Sequence, residues 1–357
     1  MKRALKIFEV LTWIIILLLV GVTFDVSFND GALSRRYLPG EFVEKLYEFR
    51  EETRFLTGIN DPVTKNFERY LNDPEERGIL LNLSRSLKGK NQIESAWKIL
   101  EWEDKRLTYD YGRAEPQFIP PSEFLSKGKG ICGDYSLLTA GLLIAMNYSP
   151  VYVLAISFND SETGHLTAAI RVGGKYLVAD QHPPLMDLGT YYRHWAVYTA
   201  NSSAKPLHID RIEVYAVYWK DGRVNVRREG SMGRSEFMRE DYNMTEGDAR
   251  KLVGDLTSEI QRRFPNLKQD PLLLGSEKRD SPPEGYRSVS IFQATFPAYA
   301  DYYIPEAHKG FVSLILDTLL ENEELGRALE TSDSFWVNGT LRKPSLSITV
   351  YTGRRGS

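Results

Sequence analysis

The chain has 357 residues, 42% of them hydrophobic and 26% charged, which suits a sizeable globular core and excludes a disordered or collagen-like polymer. Lys+Arg is 45 against Asp+Glu 48, a formal net charge of −3, and this balance argues against a nucleic-acid partner. The single cysteine, Cys132, excludes intrachain disulfides, an iron–sulfur cluster and a CxxC zinc finger, and a single long apolar stretch excludes a multi-pass membrane protein.

That stretch runs from Val10 to Phe24, VLTWIIILLLVGVTF, and is uncharged. It is a little shorter than the roughly 20 residues a spanning helix prefers. Lys2, Arg3 and Lys6 precede it, and Asp25 and Asp30 follow. The positive-inside rule places the N-terminus in the cytoplasm and the rest outside. Gly21-Val22-Thr23 is a poor cleavage site, so the reading is a retained single-pass membrane anchor, with secretion after signal cleavage as the alternative. Asn-x-Ser/Thr sequons at Asn82, Asn147, Asn159, Asn201, Asn243 and Asn338 agree weakly with export.

Residues 1–40 are read as anchor and linker. Helices follow. Phe42, Val43, Leu46, Tyr47 and Phe49 recur at helical spacing. Asp73-Pro74-Glu75-Glu76 opens a second helix, with Asp as cap, Pro at the first position and Glu76 completing a capping box. Ile93, Trp97 and Leu100 stripe a third, from about 92 to 106. Tyr109 to Ser122 reads as a loop with three prolines. Leu137 to Met146 is apolar on all sides, which predicts a buried helix. Val151 to Phe158, Leu166 to Val172 and Lys175 to Ala179 read as strands, the last two joined by a Gly173-Gly174 turn. A soft boundary near 205 separates a catalytic domain with its helical lead-in, 41–205, from a C-terminal α+β domain, 206–357. In the latter the pattern predicts strands at 212–219, 223–226, 289–296 and 346–351, and helices at 245–264 and 310–329.

Cys132 sits where the glycine-rich turn Gly128-Lys129-Gly130-Ile131-Cys132-Gly133 enters the buried helix. First-turn amides and the helix dipole stabilise a thiolate there. Gly130 and Gly133 are read as room for a substrate backbone. A lone cysteine is more often a small core residue; the helix start and the glycines favour a nucleophile instead. The Gly-Gly hairpin supplies its partners. If Val172 pairs with Lys175, His165 and Asp180 share a face as diagonal neighbours, roughly 5 to 8 Å apart. A carboxylate there orients an imidazole, the role of the third member of a nucleophile–base–acid triad. The same register places His182 opposite His165 as a competitor, although Pro183 and Pro184 end the ladder. Cys132, His165, Asp180 and His182 are also zinc-ligand types, but only Asp180 and His182 are close in sequence, so no metal or cofactor is expected.

Gly128-x-Gly130-x-Cys132-Gly133-Asp134-Tyr135-Ser136-x-Leu138, then Gly164-His165, then Tyr176-Leu177-Val178-Ala179-Asp180 resembles the core of the transglutaminase-like superfamily, of a membrane-anchored prokaryotic or archaeal type. The 33 residues from Cys132 to His165 and the 15 from His165 to Asp180 also fit. The resemblance covers about residues 75–190. It implies an α+β, papain-like fold in which the nucleophile helix packs on an antiparallel sheet. It further implies Cys132 as nucleophile, His165 as base and Asp180 as orienting acid. Two departures lie near the cleft: Thr167 where the family often has an aromatic, and Gln181-His182 where it often has Pro-Thr.

The function expected is thiol-dependent acyl transfer on a protein or peptide amide at the outer cell surface, ending in hydrolysis or in cross-linking. The Cys132 backbone amide is one oxyanion donor. Tyr109, Tyr111 and Gln117 are possible second donors, though each reads most simply as a loop or packing residue. The alternative is a non-catalytic surface scaffold that binds peptide or polysaccharide, using Tyr215, Tyr218, Trp219, Tyr302, Tyr303 and Trp336.

Overall fold

Helix α1 (Pro62–Asn72) runs to Asp73, whose carboxylate caps α2 (Pro74–Leu87) by accepting the backbone N–H groups of Glu75 and Glu76. The expected capping box is not completed. Glu76 turns to Ser122 instead, accepting its backbone N–H at 2.8 Å and its hydroxyl. Asn91 caps α3 (Gln92–Arg106). The loop expected over Tyr109 to Ser122 is bounded by β1 (Thr108–Tyr109) and α4 (Pro121–Lys127), and β2 (Lys129–Gly130) follows, parallel to β1. Gly128, at φ +67°, ends α4 in the left-handed conformation. Helix α5 (Cys132–Ala145) follows. The computed structural model describes residues 61–113, 117–159, 161, 164–202 and 206–356; the helix expected over 42–49 lies outside them.

The central sheet contains β3 (Val151–Phe158), β4 (His165–Val172), β5 (Lys175–Ala179), β6 (Met186–Asp187), β7 (Ile209–Lys220) and β8 (Arg223–Gly233), with α6 (Leu188–Ser202) between β6 and β7. Its order is β6-β5-β4-β3-β7-β8, antiparallel throughout. This corrects the boundary expected near 205. Strands β7 and β8 extend the same sheet, because Ile212, Val214 and Ala216 of β7 bury into the core shared with β3. Contacts group the chain from Glu68 onward into one compact unit that spans residue 205.

The sheet lies between two helices. On one face α5 packs against β3 and β4, while α2, α3 and α4 contact its other sides. This enclosure explains why α5 is apolar all round. Leu137, Leu138, Leu142 and Leu143 are fully buried, each contributing about 1.5–3 kcal/mol of transfer free energy. On the other face Tyr152, Leu154, Ile156, Ala169 and Val178 pack with Leu188, Tyr191 and Tyr192 of α6 and with Phe237.

After β8 come α7 (Arg234–Phe237), α8 (Glu246–Arg263), β9 (Lys268–Gln269), β10 (Tyr286–Phe296), α9 (Tyr299–Tyr302), α10 (His308–Leu320), α11 (Glu323–Thr331), β11 (Ser334–Arg342) and β12 (Ser345–Arg355). The second sheet has the order β10-β12-β11-β9. The single helix expected at 310–329 is two, because Asn322 caps α11 with its side chain.

Among the described residues no helix is long and apolar enough to cross a membrane. The most apolar, α5, has 14 residues and spans only about 21 Å of a bilayer core about 30 Å thick. The transmembrane, single-pass description is corrected accordingly; Val10–Phe24, on which it rested, lies outside the described residues.

Candidate active site

Cys132 is the first residue of α5 and remains partly exposed, while Gly133 to Leu143 behind it are buried. Asp134 builds the turn that delivers it. Its carboxylate accepts the backbone N–H of Ile131 at 2.9 Å and of Ile119 at 2.9 Å, and it pairs with Arg113. One aspartate therefore ties the helix start to the preceding loop. The two glycines serve this packing and do not leave room for substrate. A Cβ on Gly130 would meet Phe124 at 2.7 Å and Asp134 at 2.8 Å; one on Gly133 would meet the Phe118 ring at 3.1 Å.

The hairpin carries the register read from the sequence, with Val172 opposite Lys175 and Ala168 opposite Ala179. Thr167 extends it by donating its hydroxyl to the Ala179 carbonyl at 3.1 Å. This hydroxyl stands where the superfamily often has an aromatic, and it fastens the strand end that carries Asp180. His165 opens β4 opposite Ile156, so it points to the sheet face covered by α6. Its Nε2 lies 3.0 Å from both Asp180 carboxylate oxygens. Nε2 being taken by Asp180, Nδ1 is the nitrogen left to face the Cys132 thiol, whose neighbourhood raises the imidazole pKa.

The electrostatics follow from these contacts. Burial alone would raise the Cys132 thiol pKa; the hydrogen bond and charge of His165, with the Leu166 backbone amide, bring it below its ordinary value. Burial alone would lower the His165 pKa; the charge and hydrogen bond of Asp180, then those of Cys132, raise it to about 10. Burial would raise that of Asp180, but the charge and hydrogen bond of His165 and the Tyr191 hydroxyl hold it down. All three directions favour a thiolate–imidazolium pair backed by an ionised carboxylate.

His182 does not join them. Gln181 adopts φ +59°, the chain turns, and the His182 ring pairs with Asp104 at the surface, 59% exposed. Of the three upstream candidates, Tyr109 reaches the site. β1 lies beside β2 with Tyr109 opposite Gly130, which brings the phenol near enough to Cys132 for the two to act on each other's ionisation. Burial pushes the phenol up to about 12, so it stays a donor at neutral pH. Tyr111 is 82% exposed and Gln117 is exposed. The sequence reading missed Tyr191 and Trp195 of α6, which back the His165–Asp180 pair. An i, i+4 aromatic pair after the acid was the only signal, and such pairs are ordinary core residues. Two of the six aromatics proposed for a binding face, Tyr215 and Tyr303, are core residues at 3% and 1% exposure.

A family profile described as a transglutaminase-like domain matches residues 79–215, which include Cys132, His165 and Asp180. A UPF0252 protein of Pyrococcus furiosus is 31% identical over 293 residues, covering 82% of this chain and 85% of its own length. The chain belongs to the UPF0252 family. A second member, from Pyrococcus horikoshii, is 30% identical over 82% of this chain and 89% of its own length. A third, from Archaeoglobus fulgidus, is 28% identical over 96% and 99%. Among solved structures, Legionella pneumophila LapG aligns at 16% identity over 49% of this chain and 88% of its own, with a TM-score of 0.30. The family profile and the antiparallel sheet packed by α5 together give residues 79–215 an α+β, papain-like core.

Proposed function

We propose that the chain catalyses acyl transfer from a protein or peptide amide through a thioester on Cys132. The observation that carries this reading is one imidazole, His165, held by Asp180 through Nε2 at 3.0 Å and acting on a helix-start thiol whose pKa it lowers.

In this reaction the Cys132 thiolate adds to the amide carbonyl carbon. The resulting oxyanion is met by the Cys132 backbone N–H and by the hydroxyl of Tyr109, which neighbours Cys132. The C–N bond breaks as the His165 imidazolium passes its proton to the leaving nitrogen. The thioester then holds the acyl group, and His165 is neutral. Water or an amine adds next, giving its proton to His165, and the S–C bond breaks to restore the thiolate–imidazolium pair. Hydrolysis is favoured over cross-linking, because water needs no second binding site. For the setting, the sequence of residues 2–30 supports a substrate met outside the cytoplasm; protease treatment of intact cells tests this, and complete protection of the domain overturns it.

The test of the reaction is intact mass spectrometry of the protein after incubation with glutamine-containing peptides. An acyl adduct on Cys132, absent in Cys132→Ala, is expected, followed by free acid or a transamidated product. A Cys132 that alkylates like a free thiol and never carries an acyl group would leave the chain a peptide-binding scaffold.

A further inference from the structure

Helix α6 lies beyond Asp180 and belongs to no part of the nucleophile–base–acid motif. It presents Tyr191 and Trp195, four residues apart and therefore on one face, to the catalytic pair. Tyr191 is fully buried, and its hydroxyl donates to Asp180 Oδ2 at 2.6 Å. Trp195 stands edge-on to the His165 ring, centroids 4.9 Å apart, and edge-on to the Tyr191 ring at 6.3 Å. The helix is itself held by later parts of the chain. The Thr190 hydroxyl and the Arg193 guanidinium donate to the Asp301 carbonyl at 3.1 and 3.0 Å, and the rings of His194 and Tyr302 are joined at 3.0 Å.

The geometry points to Tyr191 as a fourth member of the catalytic array, a positioning residue that acts on Cys132 and His165 through Asp180. This inference rests on the triad reading above. Asp180 must do two things at once: stay ionised in a dry site and keep its oxygens aimed at Nε2. The terminal torsion of an aspartate is soft. A partner on the His165 side alone leaves that torsion free to swing whenever the imidazole moves. The buried phenol clamps one oxygen from the opposite side and supplies a second hydrogen bond to the charged form, which favours it. Burial and the neighbouring carboxylate push the phenol's own pKa well above its ordinary value, so the clamp keeps its proton.

The experiment compares the full chain with Tyr191→Phe, a change that removes one oxygen and keeps the ring. Two readouts follow the thiol without any substrate: ultraviolet thiolate absorbance and iodoacetamide alkylation rate, each titrated against pH. Loss of the clamp weakens the ionised carboxylate and therefore the imidazolium that pairs with the thiolate. The thiolate midpoint is expected to move up by about 0.5–1 pH, as one hydrogen bond allows. Turnover should fall about 10-fold in kcat with KM little changed. In an Asp180→Asn background Tyr191→Phe should add no further shift, because its effect passes through that carboxylate. A midpoint unmoved by Tyr191→Phe, or the same shift persisting on top of Asp180→Asn, overturns the proposal. If Tyr191→Phe does not fold, 3-fluorotyrosine placed at 191 keeps the ring and the hydroxyl but makes the phenol a stronger donor to Asp180 Oδ2; a downward shift of the thiolate midpoint supports the clamp and no shift overturns it. An ordinary thiol midpoint in the unaltered chain would instead sink the triad reading itself, so the two failures are distinguishable.

Discussion

Two histidines in this chain are buried against a carboxylate, and only one of them makes a candidate catalytic site. His165 and Asp180 are both dry, at 8% and 12% side-chain exposure. His308, at the start of α10, is equally buried at 7%, but its partner Asp255 is 51% exposed and shared with Lys251 at 3.0 Å. Solvent and the lysine screen the second pair. The remaining nitrogens differ more. That of His165 meets a thiol whose pKa is lowered. His308 Nδ1 meets the Tyr303 hydroxyl at 2.8 Å, and burial drives that phenol's pKa up. A histidine–aspartate pair is thus an orienting device in both places. The two differ in what the second nitrogen faces: beside His165 it is a thiol whose ionisation is favoured, beside His308 a phenol whose ionisation is opposed.

Substitution at the two histidines should separate them most sharply. Cys132→Ala and His165→Ala are each expected to lower turnover by about four orders of magnitude or more with the fold retained. His308→Ala should leave turnover within a few-fold and lose about 1–3 kcal/mol of stability, from two broken hydrogen bonds. Peptide turnover and thermal melts on the same preparations check both; a dead His308→Ala with an unchanged melt would break the contrast.

The carboxylates come next. Asp180→Ala should be roughly 100-fold less damaging than loss of the nucleophile, because Asp180 orients and does not react. Asp255→Ala should not touch kcat, and the pair can be read in one steady-state assay.

Tyr109 sharpens the comparison from the thiol side. Tyr109→Phe removes one hydroxyl that can meet the oxyanion and should cost about 100-fold in kcat with little change in KM. An effect confined to KM would reassign it to substrate binding.

The pH dependence carries its own sign. Cys132 ionises below its ordinary 9.0, and His165 keeps its proton up to about 10. Alkylation should therefore rise with pH through the lowered thiol midpoint. The ion pair persists until His165 deprotonates, and turnover falls on that limb. Stopped-flow alkylation across pH measures the first limb; a single rise centred near 9 would mean no pair forms.

The smallest effect is expected at His182. His182→Ala should leave turnover unchanged, since its ring is spent on Asp104 at the surface. If it abolishes turnover while His165→Ala spares it, the base has been assigned to the wrong ring.

Much of the fold was legible because its signals are local. The periodicity of 92–106 and the apolar run after Cys132 are helices in the structure, and the hairpin at Gly173-Gly174 sets the β4–β5 register. Helix α6 was not legible. Its Tyr191, His194 and Trp195 read as ordinary polar-aromatic sequence until the sheet stands beside them. Nor was the purpose of the glycines: Gly130 and Gly133 yield to Phe124, Asp134 and Phe118, contacts made by chain folding back upon itself.

By itself the sequence determined the helix-start cysteine, the strand that opens with His165 and the strand end that carries Asp180, because spacing along one hairpin and one helix is a short-range property. Tertiary structure alone decided what surrounds them. It chose His165 over His182 through one left-handed residue, Gln181, and brought Tyr109 to the sulfur by laying β1 beside β2. It also carried the sheet past residue 205, because β7 buries its apolar face against β3. Each of these outcomes depends on which distant surface a residue meets. No window of sequence contains that surface, and burial, which sets the charges of Cys132, His165 and Asp180, exists only once the chain has closed around them.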